Sequence, residues 1–173
     1  CTISEDVSLK FFANGEKTLM DQCHEWIGEE KIKNVVIMSP FHDKKAAFID
    51  GLIKLYKPKS IDLILQKNFG VIPDPKSIPS IVKVYDWADF RSSATIKQKY
   101  FHAKCLFLEG TNSSYLICGS ANSSIAAFGR SGGESINHEA CIGYKLPRKS
   151  FYELIEIPKQ KPIDKADLIT YPQ

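Results

Sequence analysis

The run Asn34-Val35-Val36-Ile37-Met38 has no polar residue after Asn34 and ends at Ser39-Pro40-Phe41-His42-Asp43. A strand with one wet face alternates polar and apolar residues, whereas an unbroken apolar run belongs to a strand covered on both faces. The cover is close at hand. From about Lys44 to Tyr56, Phe48, Leu52 and Leu55 fall on one helical stripe, with Asp43 placed as an N-cap and Lys57-Pro58-Lys59 as the stop. Ile61-Asp62-Leu63-Ile64-Leu65 reads as the second core strand, and Ile81-Val82-Lys83-Val84-Tyr85 as a further one. Upstream, Leu19, Cys23, Trp26 and Ile27 recur at helical spacing, which predicts a first helix with Asn14 as its cap and Gly28 as its stop. Strands interleaved with helices imply an α/β fold, a mixed β-sheet with helices on both faces.

The second half holds the chemistry-bearing residues. Asn68 to Ser80, with Pro73, Pro75 and Pro79, reads as a long loop. A polar stretch from Ala88 to Lys99, with Arg91, Lys97, Lys99, Ser92, Ser93 and Thr95, reads as a solvated loop. Tyr100 to Leu108 is rich in aromatic and apolar residues and lacks Gly and Pro, which predicts a strand bounded by Glu109-Gly110. His102 and Lys104 then share a face, about 7 Å apart along the chain. A second apolar run, Tyr115 to Cys118, ends in Gly119-Ser120-Ala121-Asn122-Ser123-Ser124 ahead of a helical patch, Ile125 to Phe128. Small and hydroxyl residues at such a junction can offer backbone N–H groups to a phosphate. Gly129-Arg130-Ser131-Gly132-Gly133 is a flexible loop. Ile136 to Tyr144 reads as a last strand with Asn137 and Glu139 on one face, and Phe151, Leu154 and Ile155 as a short final helix.

At these residues the chain resembles the phospholipase D superfamily, whose signature is H-x-K, a carboxylate after four more residues, and then G-S-x-N. The matching residues are His102-x-Lys104, Glu109 where the common pattern has Asp, Gly119-Ser120-Ala121-Asn122, and the family-like Asn137-x-Glu139. The resemblance spans about Val35 to Leu146 and implies a single phospholipase D-like lobe. It also implies a phosphodiesterase that needs no metal and no cofactor and works through a phosphohistidine. One histidine attacks phosphorus; a second, from a symmetry-related lobe, protonates the leaving oxygen and then activates water. Carried over, His102 is nucleophile or acid depending on the subunit. Lys104 and Asn122 hold the non-bridging oxygens, and Ser120 with nearby backbone N–H groups adds donors. Glu139 orients the imidazole, and Asn137 buttresses Glu139 or touches phosphate. His42 stands either at the rim of that site or, the favoured reading, at a helix start. His24 and His138 have no role assigned to them.

At 43% hydrophobic and 25% charged, 173 residues suffice for one domain with a core. That domain is placed at 1–157, with 158–173 set apart by Pro158 and Pro162 as a linker or C-terminal tail. A start at Cys1 and a polar end at Tyr171-Pro172-Gln173 read as those of a piece of a longer protein. A net charge of +3 permits a phosphate-bearing partner without requiring one. Five cysteines lack C-x-x-C spacing and mostly sit in apolar runs, as reduced core thiols of a cytoplasmic protein do. No run approaches the roughly 18 to 20 apolar residues of a membrane span, and no stable membrane association is expected. One H-x-K pair per chain calls for a second lobe, from a homodimer or from the rest of a longer chain. The expected substrate is a phosphodiester in DNA or RNA. The same chemistry also serves a lipid phosphodiesterase or phosphatidyl transferase, and a third reading is a non-catalytic or half-site module of a two-lobed protein.

Overall fold

A computed structural model describes residues 6–67, 69–90 and 100–168 and the backbone of 2–4. Cys1, Glu5, Asn68, the run from Arg91 to Lys99 and the end from Ile169 to Gln173 lie outside the described residues. The elements in chain order are β1 (Thr2–Ser4), β2 (Val7–Ala13), α1 (Leu19–Ile27), β3 (Asn34–Met38), α2 (Ala47–Tyr56), β4 (Ser60–Leu65) and β5 (Val82–Asp86). They continue with β6 (Cys105–Glu109), β7 (Ser113–Gly119), α3 (Ile125–Phe128), β8 (Ala140–Pro147) and α4 (Phe151–Leu154). The strands form one sheet in the order β1-β2-β8-β7-β6-β3-β4-β5. Pairs β3–β4 and β4–β5 are parallel and the others antiparallel, so the sheet is mixed.

Alternation along the central strands divides the interior in two. Val35 and Ile37 of β3 and Leu106 and Leu108 of β6 face the larger core, where α1, α2 and α3 lie. Val36, Met38 and Phe107 face the other way, into a smaller core closed by α4 and a single 3-10 turn at Trp87–Phe90. That second layer is built largely of rings: Phe107 lies 5.5 Å from Phe151, and Trp87 5.2 Å from Phe101. A sheet buried on both faces explains why β3 and β4 read as unbroken apolar runs.

Several element ends differ from the sequence expectations. Thr18, not Asn14, caps α1, its hydroxyl accepting the Asp21 amide at 3.1 Å. Asn14 instead donates its side-chain amide to the carbonyls of Ala127 (2.9 Å) and Asn137 (2.7 Å), tying the end of β2 to the second half of the chain. Helix α2 starts at Ala47 rather than Lys44. Asp43 nevertheless accepts the Phe48 amide at 2.9 Å, and its two carboxylate oxygens also take the Ile125 amide, each at 3.1 Å. One carboxylate thus ties the starts of α2 and α3 together. The β1–β2 hairpin was not expected. Its signal lies in the alternation of Val7, Leu9 and Phe11 with Ser8, Lys10 and Phe12, blurred by the two adjacent phenylalanines.

The segment after α4, set apart above as linker or tail, packs on the domain as far as it is described. Ile163 donates its amide to Val84 O at 2.8 Å, Leu168 is buried, and Lys165 Nζ reaches Pro79 O at 2.8 Å. Lys159 lies over the Tyr85 and Tyr152 rings and meets Asp62 of β4 at 2.5 Å, while Tyr152 OH donates to the same carboxylate oxygen at 2.9 Å. Asp62 is buried, so removing its cation leaves a charge poorly compensated. Lys159→Met should therefore destabilise the fold by about 2 kcal/mol, short of the roughly 3 to 5 typical of fully buried pairs, since the lysine side chain stays 45% exposed. Urea unfolding midpoints measure this, and an unmoved midpoint would mean that the pair is incidental.

The described cysteines, Cys23, Cys105, Cys118 and Cys141, are free thiols. Burial pushes all four thiols up, which makes them poor nucleophiles at neutral pH. No helix among the described residues is long and apolar enough to cross a membrane.

Candidate active site

One edge of the sheet gathers the ends of five strands. Met38, the last residue of β3, pairs with Cys105, the first of β6; Cys105 pairs with Cys118; Gly119 pairs with Cys141; and Ala140 pairs with Ala13. Residues just beyond these ends must therefore meet above that edge. They are Ser39 after β3, His102 and Lys104 before β6, Ser120 and Asn122 after β7, Asn137 and Glu139 before β8, and Asn14 after β2.

His102 and Lys104 precede the strand rather than lying on it, which corrects the expected strand from Tyr100. Strand β3 stops at Met38, before Ser39-Pro40, and β7 turns away after Gly119, so no ladder partner remains for residue 104. The side chains meet nonetheless: Lys104 Nζ lies 3.2 Å from Nδ1 and 3.3 Å from Nε2 of His102. Just upstream, Phe101 donates its amide to Oε1 of buried Gln66 at 2.7 Å, which fixes the backbone from which His102 projects.

Glu139 anchors the second group. One of its oxygens accepts a very short bond from the Ser120 hydroxyl and the other accepts Asn137 Nδ2 at 3.1 Å. The Ser120 hydroxyl in turn accepts the Ala140 amide at 3.0 Å. Asn137 and Glu139 share a face as expected, but they lie ahead of β8, which begins at Ala140 rather than Ile136. In this structure the Glu139 carboxylate is bonded to Ser120 and Asn137, and no bond joins it to the imidazole among the described residues. Asn122 forms the third group, with Oδ1 3.4 Å from the Ser39 hydroxyl, which also accepts the Ser123 amide at 3.2 Å.

The turn itself departs from expectation in one respect. Its amides are mostly occupied from within: Ser120 N by Ala140 O, Ser123 N by Ser39 Oγ, Ser124 N by Asn122 O and Ile125 N by Asp43. An incoming phosphate would meet side chains here, not a row of free N–H groups. Ser39 and Gln66, which hold the site from behind, were missed in the sequence. Their signal is positional, a polar residue directly after a buried parallel strand, where open α/β sheets place their sites. Glu109, the motif's third position, stands at the far end of β6, bonded to Asn34 Nδ2 (2.9 Å) and Arg148 (3.1 Å), which makes it a structural residue in this chain.

His42 is buried at the start of the α2 connection, with Nε2 2.9 Å from Ser39 O. Burial pushes its imidazole down to about 4, against a smaller opposing pull from the Ser39 carbonyl. Between about 4 and the ordinary 6.5 the unfolded chain binds a proton that the folded chain refuses. Stability conferred by neutral His42 is thus complete above pH 6.5 and is lost as pH falls towards 4, by about 3 kcal/mol in all. Urea midpoints followed from pH 7 to 4 should show this slope, and His42→Gln should flatten it. Equal slopes in the two proteins would contradict the assignment.

Among the described residues no cluster of three or more His, Cys, Asp or Glu side chains could hold a metal ion. No family model and no curated protein matches the sequence. Solved structures do match the fold. Yeast tyrosyl-DNA phosphodiesterase aligns with 79% of this chain at TM-score 0.49 and 13% identity, and the chain covers 31% of that protein's length. NucT from Helicobacter pylori aligns with 80% of the chain, and 86% of NucT is covered, at TM-score 0.48 and 12% identity. Nuc from Salmonella typhimurium, a phospholipase D family member, aligns with 87% of the chain and 90% of itself is covered, at TM-score 0.49 and 12% identity. These solved proteins are what the chain is similar to in structure, each at low identity.

Proposed function

We propose that the protein is a metal-independent phosphodiesterase of nuclease type, acting on DNA or RNA through a phosphohistidine intermediate. The observation that carries this reading is the contact of His102 with Lys104 ahead of β6, at the same end of the sheet where Asn122 follows β7 and Glu139 precedes β8, three separate chain segments. An imidazole with an ammonium at 3.2 Å gives a nucleophile and a fixed positive charge at one locus. A phosphate oxygen entering there would take over the lysine contact that the imidazole now holds.

The imidazole of His102 attacks phosphorus, forming a P–N bond as the bond to the leaving oxygen breaks. The leaving oxygen takes its proton from a second imidazole. That imidazole then removes a proton from water, whose oxygen displaces the histidine and restores it. Lys104 and Asn122 neutralise the non-bridging oxygens as charge builds on them. Ser120 and Asn137 hold Glu139 in place just ahead of β8, and Glu139 is the carboxylate assigned to orient an imidazole. The second imidazole comes from a second copy of this chain or from a second lobe, because none of His24, His42 and His138 is bonded to the His102 cluster.

Turnover of a generic phosphodiester and cleavage of a DNA or RNA strand should both persist in EDTA. The groups assigned to attack, protonation and charge neutralisation are all side chains, so chelation removes none of them. Activity lost in EDTA and restored by Mg²⁺ or Zn²⁺ would overturn the reading.

A further inference from the structure

Two residues before His102 stands Tyr100, 76% exposed yet stacked on Phe69, with ring centroids 4.7 Å apart and planes 26° from parallel. An exposed ring stacked on a half-buried one at such a place is unusual, because rings of this size ordinarily turn inward. Phe101, between Tyr100 and His102, does turn inward: it is 4% exposed, packs on Trp87, and its amide is held by Gln66. The two neighbours of this inward residue along the chain, Tyr100 and His102, are both exposed. Tyr100 and His102 therefore open to the same solvent.

The other ring is also anchored. Phe69 is followed by Gly70, whose φ of +76 favours glycine, and any Cβ there would run into the Pro40 carbonyl. Val71 donates its amide to that same carbonyl at 3.0 Å, and His42 donates to Val71 O at 2.9 Å. The loop carrying Phe69 is thus fixed to the connection that leaves β3 beside Ser39. Phe69 covers one face of the Tyr100 ring, and the 76% exposure leaves the other face open to a planar ligand.

We propose that the Tyr100–Phe69 pair is a stacking platform for an unpaired nucleobase of a single-stranded nucleic acid, adjoining the phosphodiester at His102 and Lys104. The proposal rests on the phosphodiesterase reading for where the phosphate lies, and it narrows the substrate to a strand with free bases. A duplex keeps its bases stacked on one another and offers the ring nothing. A single strand supplies both a base for Tyr100 and an anionic backbone for Lys104.

The test uses short fluorescein-labelled oligothymidylate and oligouridylate, an abasic strand of equal length and a duplex, with fluorescence anisotropy for binding and gel analysis for cleavage. The wild-type protein should hold base-bearing strands at least about tenfold more tightly than the abasic strand or the duplex. Tyr100→Ala should lose about that factor on base-bearing strands, to the level at which wild type binds the abasic strand, and Tyr100→Trp should retain affinity. The DNA and RNA arms show which source is preferred. Equal binding of abasic and base-bearing strands, or an unaltered Tyr100→Ala, would overturn the platform even if cleavage proceeds. Tyr100-dependent binding without any cleavage would leave the platform standing and remove the phosphodiesterase reading instead.

Discussion

His102→Ala should lower phosphodiester turnover by at least about four orders of magnitude, and no exogenous metal should restore it. The imidazole is the nucleophile assigned at the sheet edge, since burial holds the nearby Cys105 and Cys118 thiols protonated at neutral pH. Lys104→Ala should cost about 3 kcal/mol of transition-state stabilisation, or two orders of magnitude in kcat, as the loss of an anion-holding donor typically does. The lysine variant should still fold, because Lys104 lies outside the ladder and among the described residues makes its side-chain hydrogen-bond contact with His102 alone. Circular dichroism and initial rates on a chromogenic phosphodiester check both variants. If two copies share one site, mixing His102→Ala chains with wild type should depress activity beyond simple dilution, and light scattering should show a dimer. An active His102→Ala protein would mean that the clustering of motif residues has no chemical purpose.

Gly119→Ala should be the most disruptive single-methyl change in the motif. The added carbon would fall 2.7 Å from Cys141 Cα and closer still to the Ala140 carbonyl oxygen, both backbone of the adjoining strand β8. Backbone cannot swing aside as a side chain does, so β7 and β8 must part where they are paired. A cost of about 3 kcal/mol follows from overpacking of this kind. The damage extends to the site, because the Ser120–Ala140 amide bond and the Ser120–Glu139 bond hang from the next residue. Urea midpoint and turnover should fall together. An unchanged midpoint would refute the close approach, and an unchanged rate would refute the dependence of the site on it.

That glycine illustrates what the sequence conveys and what it withholds. The candidate site residues could be named because each side chain type is tied to a chemical task, but only the turn from Gly119 to Asn122 was expected past a strand end; His102, Lys104, Asn137 and Glu139 were expected on strands and lie ahead of them. The core strands β3 and β4 were legible because burial on both faces leaves an unbroken apolar run. Element ends were less so. Where β6 begins depends on β3 stopping at Met38, some seventy residues away, and no local signal around Tyr100 to Lys104 records that. The cap at Thr18 and the distant tie made by Asn14 were exchanged for a similar reason, since both residue types suit a helix start and only tertiary contacts choose between them. The committed amides of the Ser120 turn were likewise hidden, because their partners, Ala140, Ser39 and Asp43, come from three other segments.

The contact of Ile163 with Val84 bears on how separate molecules treat one another. Strand β5 is the last in the sheet on its side, and such a strand presents unpaired peptide groups that another chain can extend. Ile163 occupies part of that row, and Lys165 engages the carbonyls of Ile78 and Pro79 just ahead of it. The segment from Lys159 to Leu168 thus works as a selvedge, keeping the weave from being continued by a neighbour. A protein shortened before Lys159 would lose this cover and the cation beside Asp62 in one step, and its tendency to self-associate through β5 should rise even where the residues beyond β3, β6, β7 and β8 are untouched.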